Sequence, residues 1–378
     1  MGAYMIYDGH AYCFPSLHGD GGFQNKEDFK KYQQVAISHH FQPVWVDSSR
    51  SIITDTSKIN PTNKWSIDSL KNTDLSPSHR GRYEWTHKGI KYVKQYMPPS
   101  IKDMSYSADD LVAEMDYAGI SMALLHRHPM LGIGNEFISD CMKRFPDRLQ
   151  GLAHIPEWKI SSNTKLSINI LNDAIENLHL SGLQFLPDQL DLHNKQEHWD
   201  DIIFDPFWSA FADLSVPLFI TPRYTSLTSN SDLVESLNNE LLRIKKWMDR
   251  FPEVKVVWTH GLAWRLFITE KDLSIPASVF QSAPIDNHNF YLQLMFPISL
   301  GDIWEYPMKQ TLPVLKEITR NFGADRLIWG TDMPIVLRHF TYKQCLDQIK
   351  IHGKEVLTNE EIKMISGGTM QKLMNLKK

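Results

Sequence analysis

Tyr4-Met5-Ile6-Tyr7-Asp8-Gly9-His10-Ala11-Tyr12 opens the chain with an apolar run that gives way to a polar tip. The run Tyr4–Tyr7 reads as a first β-strand, and the tip marks its end. Side chains two apart on a strand face the same way, so His10 and Tyr12 project into one space. Two imidazoles at that spacing would hold a divalent cation, whereas one imidazole and a phenol hold it far less well. The stretch therefore raises two questions: what fold places a strand end there, and whether a metal belongs at it.

Working outward, residues 16–106 form a long irregular region rich in Ser, Asn, Asp, Pro and aromatics. Within it Arg82–Thr86 and Ile90–Tyr96 flank His87-Lys88-Gly89, the pattern of a β-hairpin. An insertion of that length is a functional lid or disordered, and its Trp, Tyr and Phe content favours an ordered lid. From residue 107 a regular rhythm sets in. Ser107 is a candidate helix cap and Gly119 a helix stop. Short apolar strands follow at 120–125, 149–155, 182–186, 216–220, 254–258, 289–294 and 326–329. Amphipathic stretches fill the gaps, about 164–179, 205–214, 231–250, 309–322, 342–352 and 359–375. Eight apolar strands alternating with helices predict an α/β (β/α)8 TIM barrel, read as one domain over 1–378 with 16–106 inserted after strand one. The alternative is a doubly wound open sheet. No glycine-rich phosphate fingerprint follows strand one, which counts against a dinucleotide-binding version.

The bulk numbers agree with a globular enzyme-sized chain. Its 378 residues are 42% hydrophobic and 22% charged, with net charge −4. No long basic run is present, which excludes nucleic acid as an expected partner. No apolar run approaches the roughly 20 residues that span a bilayer, and no secretory leader pattern opens the chain. Three scattered cysteines, Cys13, Cys141 and Cys345, do not make a disulfide framework. The expectation is a cytoplasmic protein with a small-molecule substrate and no membrane partner. Cys13 lies beside the first motif and reads either as a site-lining thiol or as a buried inert one.

In such barrels chemistry sits at the C-terminal strand ends. Those positions offer Asp8, His10 and Tyr12 on strand one, then His126, Arg127 and His128 on strand two. His154 follows on strand three, Asp188 on strand four, and Thr221 with Arg223 on strand five. His260 ends strand six and Asp332 ends strand eight. This set resembles the amidohydrolase superfamily, specifically the amidohydrolase-related branch of aminocarboxymuconate-semialdehyde decarboxylase, γ-resorcylate-type decarboxylases and lactonases. The resemblance is carried by Ile6 through Pro15, by Phe145-Pro146-Asp147-Arg148-Leu149-Gln150-Gly151, by Asp205-Pro206-Phe207-Trp208 and by Gly323 through Pro334. Asp8-Gly9-His10-Ala11-Tyr12 resembles the family's Asp-x-His-x-His opening with its last histidine replaced.

The resemblance implies a metal held by two strand-one ligands, a strand-five histidine and a strand-eight aspartate, with a strand-six histidine beside them. His10, His260 and Asp332 match. Tyr12 and Thr221 stand where histidines are expected. A neutral phenol and a hydroxyl are poor ligands, so a metal-free site is the favoured expectation. In a second register Asp8, His10 and Asp332 would form an oxygen-rich zinc or manganese site.

The first functional expectation is a hydrolase of a small, carboxylated lactone, amide or related acyl compound. Asp332 is its general base, His10 and His260 its acid or electrophile, and Tyr12 and Thr221 its oxyanion donors. Arg127 and Arg223 would clamp the carboxylate, with His154 beside the substrate. The alternative is a metal-dependent non-oxidative decarboxylase of an aromatic or unsaturated acid. A third reading, a barrel that only binds, is opposed by the joint presence of His10, His260 and Asp332. For single residues plainer readings compete. His126 and His128 read as a rim pair with one facing the site, His154 as a hydrogen-bonded structural histidine or a substrate contact, Arg265 as facing the pocket or solvating helix six, and Trp258 and Trp329 as core. Lys94, Tyr96 and Trp85 on the hairpin could close over the site or form a subunit contact. The family resemblance makes a homodimer the expected assembly.

Overall fold

The computed structural model describes residues 4–39, 42–53, 66–70, 73–222, 230–270 and 272–375. Its strands in chain order are β1 Tyr7–Ala11, β2 Val44–Val46, β3 Ile52–Ile53, β4 Ser76–Pro77, β5 Arg82–His87 and β6 Ile90–Gln95. These are followed by β7 Met122–Leu125, β8 Leu149–Gly151, β9 Leu183–Phe185, β10 Leu218–Ile220, β11 Val256–Trp258, β12 Phe290–Leu294 and β13 Leu327–Trp329. All eight strands expected along the chain are present, the later seven being β7 to β13, but β1 shares only Tyr7 with the expected Tyr4–Tyr7 run and continues through the polar tip to Ala11.

Those eight form two parallel sheets, β1-β7-β8 and β13-β12-β11-β10-β9. Each strand lies beside its neighbour in sequence, without the order reversal of a doubly wound sheet. Isolated parallel bridges Ala153–Leu183 and Ala11–Met333 link the edges of the two sheets. The strands are buried on both faces, which is why they read as unbroken apolar runs. Between the sheets, Tyr7, Met122, Leu124, Phe219, Val257 and Ile328 form one apolar layer, against which Met370 and Leu373 of the final helix pack. The architecture is an α/β barrel-like fold.

Local signals account for the helix ends. Ser107 accepts from Asp110 N at 3.1 Å while the Asp110 carboxylate accepts from Ser107 N, a reciprocal cap on helix Ala108–Ala118. Gly119, at φ 75°, closes it in the left-handed conformation that glycine adopts without strain. The same reciprocal cap starts the helices at Tyr342 and Asn359.

Within 16–106 the described residues carry regular structure, as the aromatic content favours. The expected hairpin is there: β5 and β6 pair antiparallel from Arg82–Gln95 to His87–Ile90. It sits inside a five-stranded antiparallel sheet, β3-β2-β6-β5-β4, preceded by helix Lys26–His39. The helix is polar over most of its surface, and β2 to β4 are only two or three residues long, too short to show alternation. Among the described residues no helix is long and apolar enough to cross a membrane.

A slip in β1 decides where its side chains point. Asp8 pairs with Ala123 and Ala11 with Leu125, three steps against two. Such an extra residue re-aims the side chains on either side of it. Gly9 sits at the slip, and a Cβ there would lie 2.4 Å from Ile328 Cγ2 and 3.1 Å from the Trp329 carbonyl oxygen. Glycine is required by this close approach.

Candidate functional site

A cavity of about 480 Å³ opens at the C-terminal ends of the parallel strands. Its floor carries Tyr12, Thr221, His260 and Asp332 from strand ends, and its wall carries Tyr96, the residue that follows β6. His10 lies beneath, fully buried. Its Nε2 is 2.8 Å from the Tyr12 hydroxyl and 3.4 Å from Asp332 Oδ1. The His260 ring meets the His10 ring edge-on with centroids 4.7 Å apart. Ligand atoms of His10, His260 and Asp332 all lie within 4.8 Å of one another. The backbone draws the two chain ends together here: Asp332 N donates to His10 O at 2.8 Å and Tyr12 N to Met333 O at 2.7 Å.

His260 and Asp332 both hold the left-handed backbone region, at φ 59° and 70°. Non-glycine residues rarely occupy it, and the strain tends to gather at functional positions.

Burial governs the electrostatics. It raises the Asp332 carboxyl to about 6, against the opposing pull of the Arg338 guanidinium and of a hydrogen bond from Tyr12. Burial lowers His260 to about 4 and His10 well below the ordinary imidazole value. Both rings are neutral at pH 7 and offer lone pairs or N–H groups, not positive charge. Tyr12 has one hydroxyl proton and two neighbours, His10 Nε2 and the Asp332 carboxylate. The floor gathers neutral imidazoles and a carboxylate, a donor set suited to a cation. Two imidazoles and a carboxylate fit a catalytic divalent site that keeps an open position. Nothing in this geometry supports the expectation that the site is metal-free.

Several expected residues are placed elsewhere. Asp8 does not join the cluster, because the slip in β1 turns it away. Its carboxylate accepts from Thr331 Oγ1 at 2.5 Å, Tyr342 OH at 2.7 Å, His10 N at 2.9 Å and Thr331 N at 3.1 Å. With those lone pairs engaged, the ligand set Asp8, His10 and Asp332 is not assembled. Burial still raises the Asp8 carboxyl to about 7, with the four hydrogen bonds opposing. Arg127 is 1% exposed, donates to Gly132 O at 2.6 Å and is absent from the cavity lining, so it is not placed to clamp a substrate. His154 is also buried off the cavity, with its backbone N–H on Asn135 Oδ1 and its ring 3.9 Å from Glu157. Arg223 lies outside the described residues. Thr221 does line the cavity, but its hydroxyl is engaged by Thr259 Oγ1 at 2.8 Å and Gln184 Nε2 at 3.1 Å. Of the rim pair, His128 faces the cavity and His126 stacks flat under His10, centroids 3.5 Å apart. All three cysteines are buried, and Cys13 is not in the lining. Lys94 and Trp85 are buried, Lys94 donating to Ile37 O, while Tyr96 reaches the cavity.

The structure adds residues that the strand-end survey passed over. Gln293 and Gln184 are buried polar side chains inside otherwise apolar strands, a break in pattern that could have flagged them. Gln293 Oε1 lies 2.9 Å from His10 Nδ1. Arg338 lines the cavity, and so does Arg265, one of whose two sequence readings faced the pocket. Arg338 donates to the carbonyl of Tyr96 at 3.1 Å, joining the cavity rim to the antiparallel sheet. Arg338 lies six residues past Asp332, in a turn no spacing rule covers.

Comparison with known proteins fits this geometry. No curated protein sequence matches the chain. Among solved structures, a 5-carboxyvanillate decarboxylase from Novosphingobium aromaticivorans with bound manganese aligns at TM-score 0.58 and 14% identity, over 99% of this chain and 98% of that one. A dihydroxybenzoic acid decarboxylase from a Polaromonas species, also with manganese, aligns at TM-score 0.52 and 19% identity, covering 73% and 88%. A probable 2-pyrone-4,6-dicarboxylic acid hydrolase from Acinetobacter baumannii with citric acid bound aligns at 0.50 and 13%, covering 72% and 91%. These likenesses establish the fold. The family profile described as amidohydrolase matches residues 37–373. With that match spanning most of its length, the chain belongs to the amidohydrolase superfamily, in its amidohydrolase-related branch.

Proposed function

We propose that this chain is a hydrolase of a small carboxylate-bearing lactone, amide or related acyl compound, with His10, His260 and Asp332 as ligands for one divalent cation. The observation that carries the reading is the convergence of those three side chains, within 4.8 Å of one another, on the floor of the cavity. Zinc or manganese would suit the two nitrogens and one carboxylate. Such a cation supplies Lewis-acid polarisation of the substrate oxygen. The rest is work for the chain's own groups. Asp332, raised toward neutrality by burial, takes a proton from the attacking water and returns it to the leaving oxygen or nitrogen as the acyl bond breaks. The Tyr12 hydroxyl donates to the oxyanion that develops on the acyl carbon. Arg338 and Arg265 take the substrate carboxylate, the role expected of Arg127 and Arg223. The antiparallel sheet serves as the lid through Tyr96, the two parallel sheets close into one barrel, and the whole chain acts as one domain.

A second reading, a non-oxidative decarboxylase, is favoured by the cavity walls. Tyr96, Leu131, Leu186, Trp264 and Ile298 make them apolar and partly aromatic, which suits a flat ring. Two of the neighbours above are manganese-containing decarboxylases of aromatic acids. One experiment separates the two: manganese- or zinc-loaded protein is offered lactone dicarboxylates and hydroxybenzoates, and products are read by mass spectrometry. A ring-opened acid supports the hydrolase, and carbon dioxide release moves the lyase ahead. Full activity in Asp332→Asn would overturn both role assignments.

A further inference from the structure

The Gln293 side chain stands between two fixed groups. On one side is the carbonyl of Gly9, 2.8 Å from Gln293 Nε2. On the other is His10 Nδ1, 2.9 Å from Gln293 Oε1. A backbone carbonyl oxygen only accepts hydrogen bonds. The amide nitrogen must therefore face Gly9, because the flipped amide would set oxygen against oxygen at that distance. The amide oxygen then faces His10 Nδ1. An amide oxygen also only accepts, so Nδ1 must carry the proton. A neutral imidazole has one N–H, which leaves Nε2 bare.

We infer that Gln293 is a positioning residue that locks His10 in its Nδ1-protonated tautomer and so aims the bare Nε2 at Tyr12, Asp332 and an incoming cation. The inference rests on the ligand role proposed above for its consequence, and on hydrogen-bond direction in a neutral, fully buried ring for the tautomer.

Three features hold the lock rigid. Gln293 and His10 are both fully buried, so water does not compete for their hydrogen bonds. His126 Nε2 donates to the same Gly9 carbonyl at 2.9 Å, and its ring lies on His10 at an interplanar angle of 12°. The His10 ring thus has a neighbour on its face and a hydrogen bond in its plane. Gly9 itself is pinned by its close approach to Ile328 and Trp329, which fixes the carbonyl that orients the amide. Partners of this kind commonly set which nitrogen of a histidine is free to bind a metal.

The test reads the ring nitrogens of His10 directly in metal-free, 15N-labelled protein by long-range proton–nitrogen correlation, with His10 assigned by its loss in His10→Gln. The expected spectrum has Nδ1 protonated and Nε2 bare. Gln293→Leu removes the acceptor, so the Nε2-protonated form should appear and manganese affinity should fall by about 10- to 100-fold. Gln293→Glu restores an acceptor for Nδ1 and, in its protonated form, a donor for Gly9, so it should rescue the tautomer and most of the affinity. A wild-type spectrum with Nε2 protonated would overturn the inference. So would a Gln293→Leu protein with native circular dichroism and an unchanged His10 pattern. If Gln293→Leu does not fold, the wild-type spectrum and Gln293→Glu decide. A wild-type protein with Nδ1 protonated that binds no manganese would uphold the lock and sink the metal reading instead.

Discussion

Acidification should destabilise the metal-free protein steeply near pH 5. Burial holds His126 and His154 down to about 3, His128 and His260 to about 4, and His10 well below its ordinary value. Each of these five stays neutral in the folded protein where the unfolded chain takes up a proton, so each removes stability as pH falls below about 6.5. Three carboxyls act the other way. Burial raises Asp8 to about 7, Asp332 to about 6 and Glu157 above its usual range. Each keeps a proton in the folded state that the unfolded chain has released, a contribution present at low pH and lost as pH rises through the folded value. Near pH 5 these eight groups together bind about two protons more in the unfolded chain than in the folded one, which gives a slope of about 3 kcal/mol per pH unit from them. That is a large share of the roughly 5–15 kcal/mol that holds a domain together. Urea titrations of chelator-treated protein from neutral pH down to about pH 5 would measure it. His154→Gln removes one of the five and should make the slope shallower by about 1.4 kcal/mol per pH unit. A flat profile, or one that rises on acidification, would refute the reasoning.

Other perturbations have definite expected outcomes. Gly9→Ala forces a methyl into the space of Ile328 and should cost about 1–3 kcal/mol in chemical denaturation, with loss of activity as His10 is displaced. Asp8→Ala strands four buried donors and should destabilise by about 3 kcal/mol or more, whereas metal content per folded chain should stay at the wild-type level. Once a substrate is identified, Arg338→Met should raise KM by about tenfold or more for the carboxylated compound and leave an uncharged analogue little affected. The acid limb of kcat/KM should fall at or below pH about 6, where Asp332 gains a proton and stops acting as a base.

The strands were readable because a parallel sheet buried on both faces leaves near-continuous apolar runs, and β7 to β13 each carry one. The floor of the site was readable for a related reason: polar residues at the ends of such runs, Tyr12, Thr221, His260 and Asp332, have nowhere to go but the cavity. What spacing could not reveal was the one-residue slip in β1. It turns Asp8 toward Thr331 and Tyr342, so two plausible ligand registers became one only when the pairing with β7 was known. Arg127 was misjudged because alternation next to an irregular strand end does not predict direction, and the chain turns at once into the short helix Pro129–Leu131. Arg338 depends on the turn after Asp332, and Tyr96 on a sheet assembled from strands of two to six residues. Such long-range placement leaves little local trace.

The left-handed backbone at His260 and Asp332 also bears on how these positions could be diversified in laboratory evolution. Glycine, asparagine and aspartate tolerate that conformation, and bulky or β-branched residues resist it. A saturation library at either codon would return a short set of survivors chosen by chain geometry as much as by reactivity. Asparagine at 332 is the replacement that removes charge while respecting the backbone, whereas valine or isoleucine there would confound the two. New specificities are better sought at Leu131, Leu186 and Ile298, which line the same cavity with backbones outside that region.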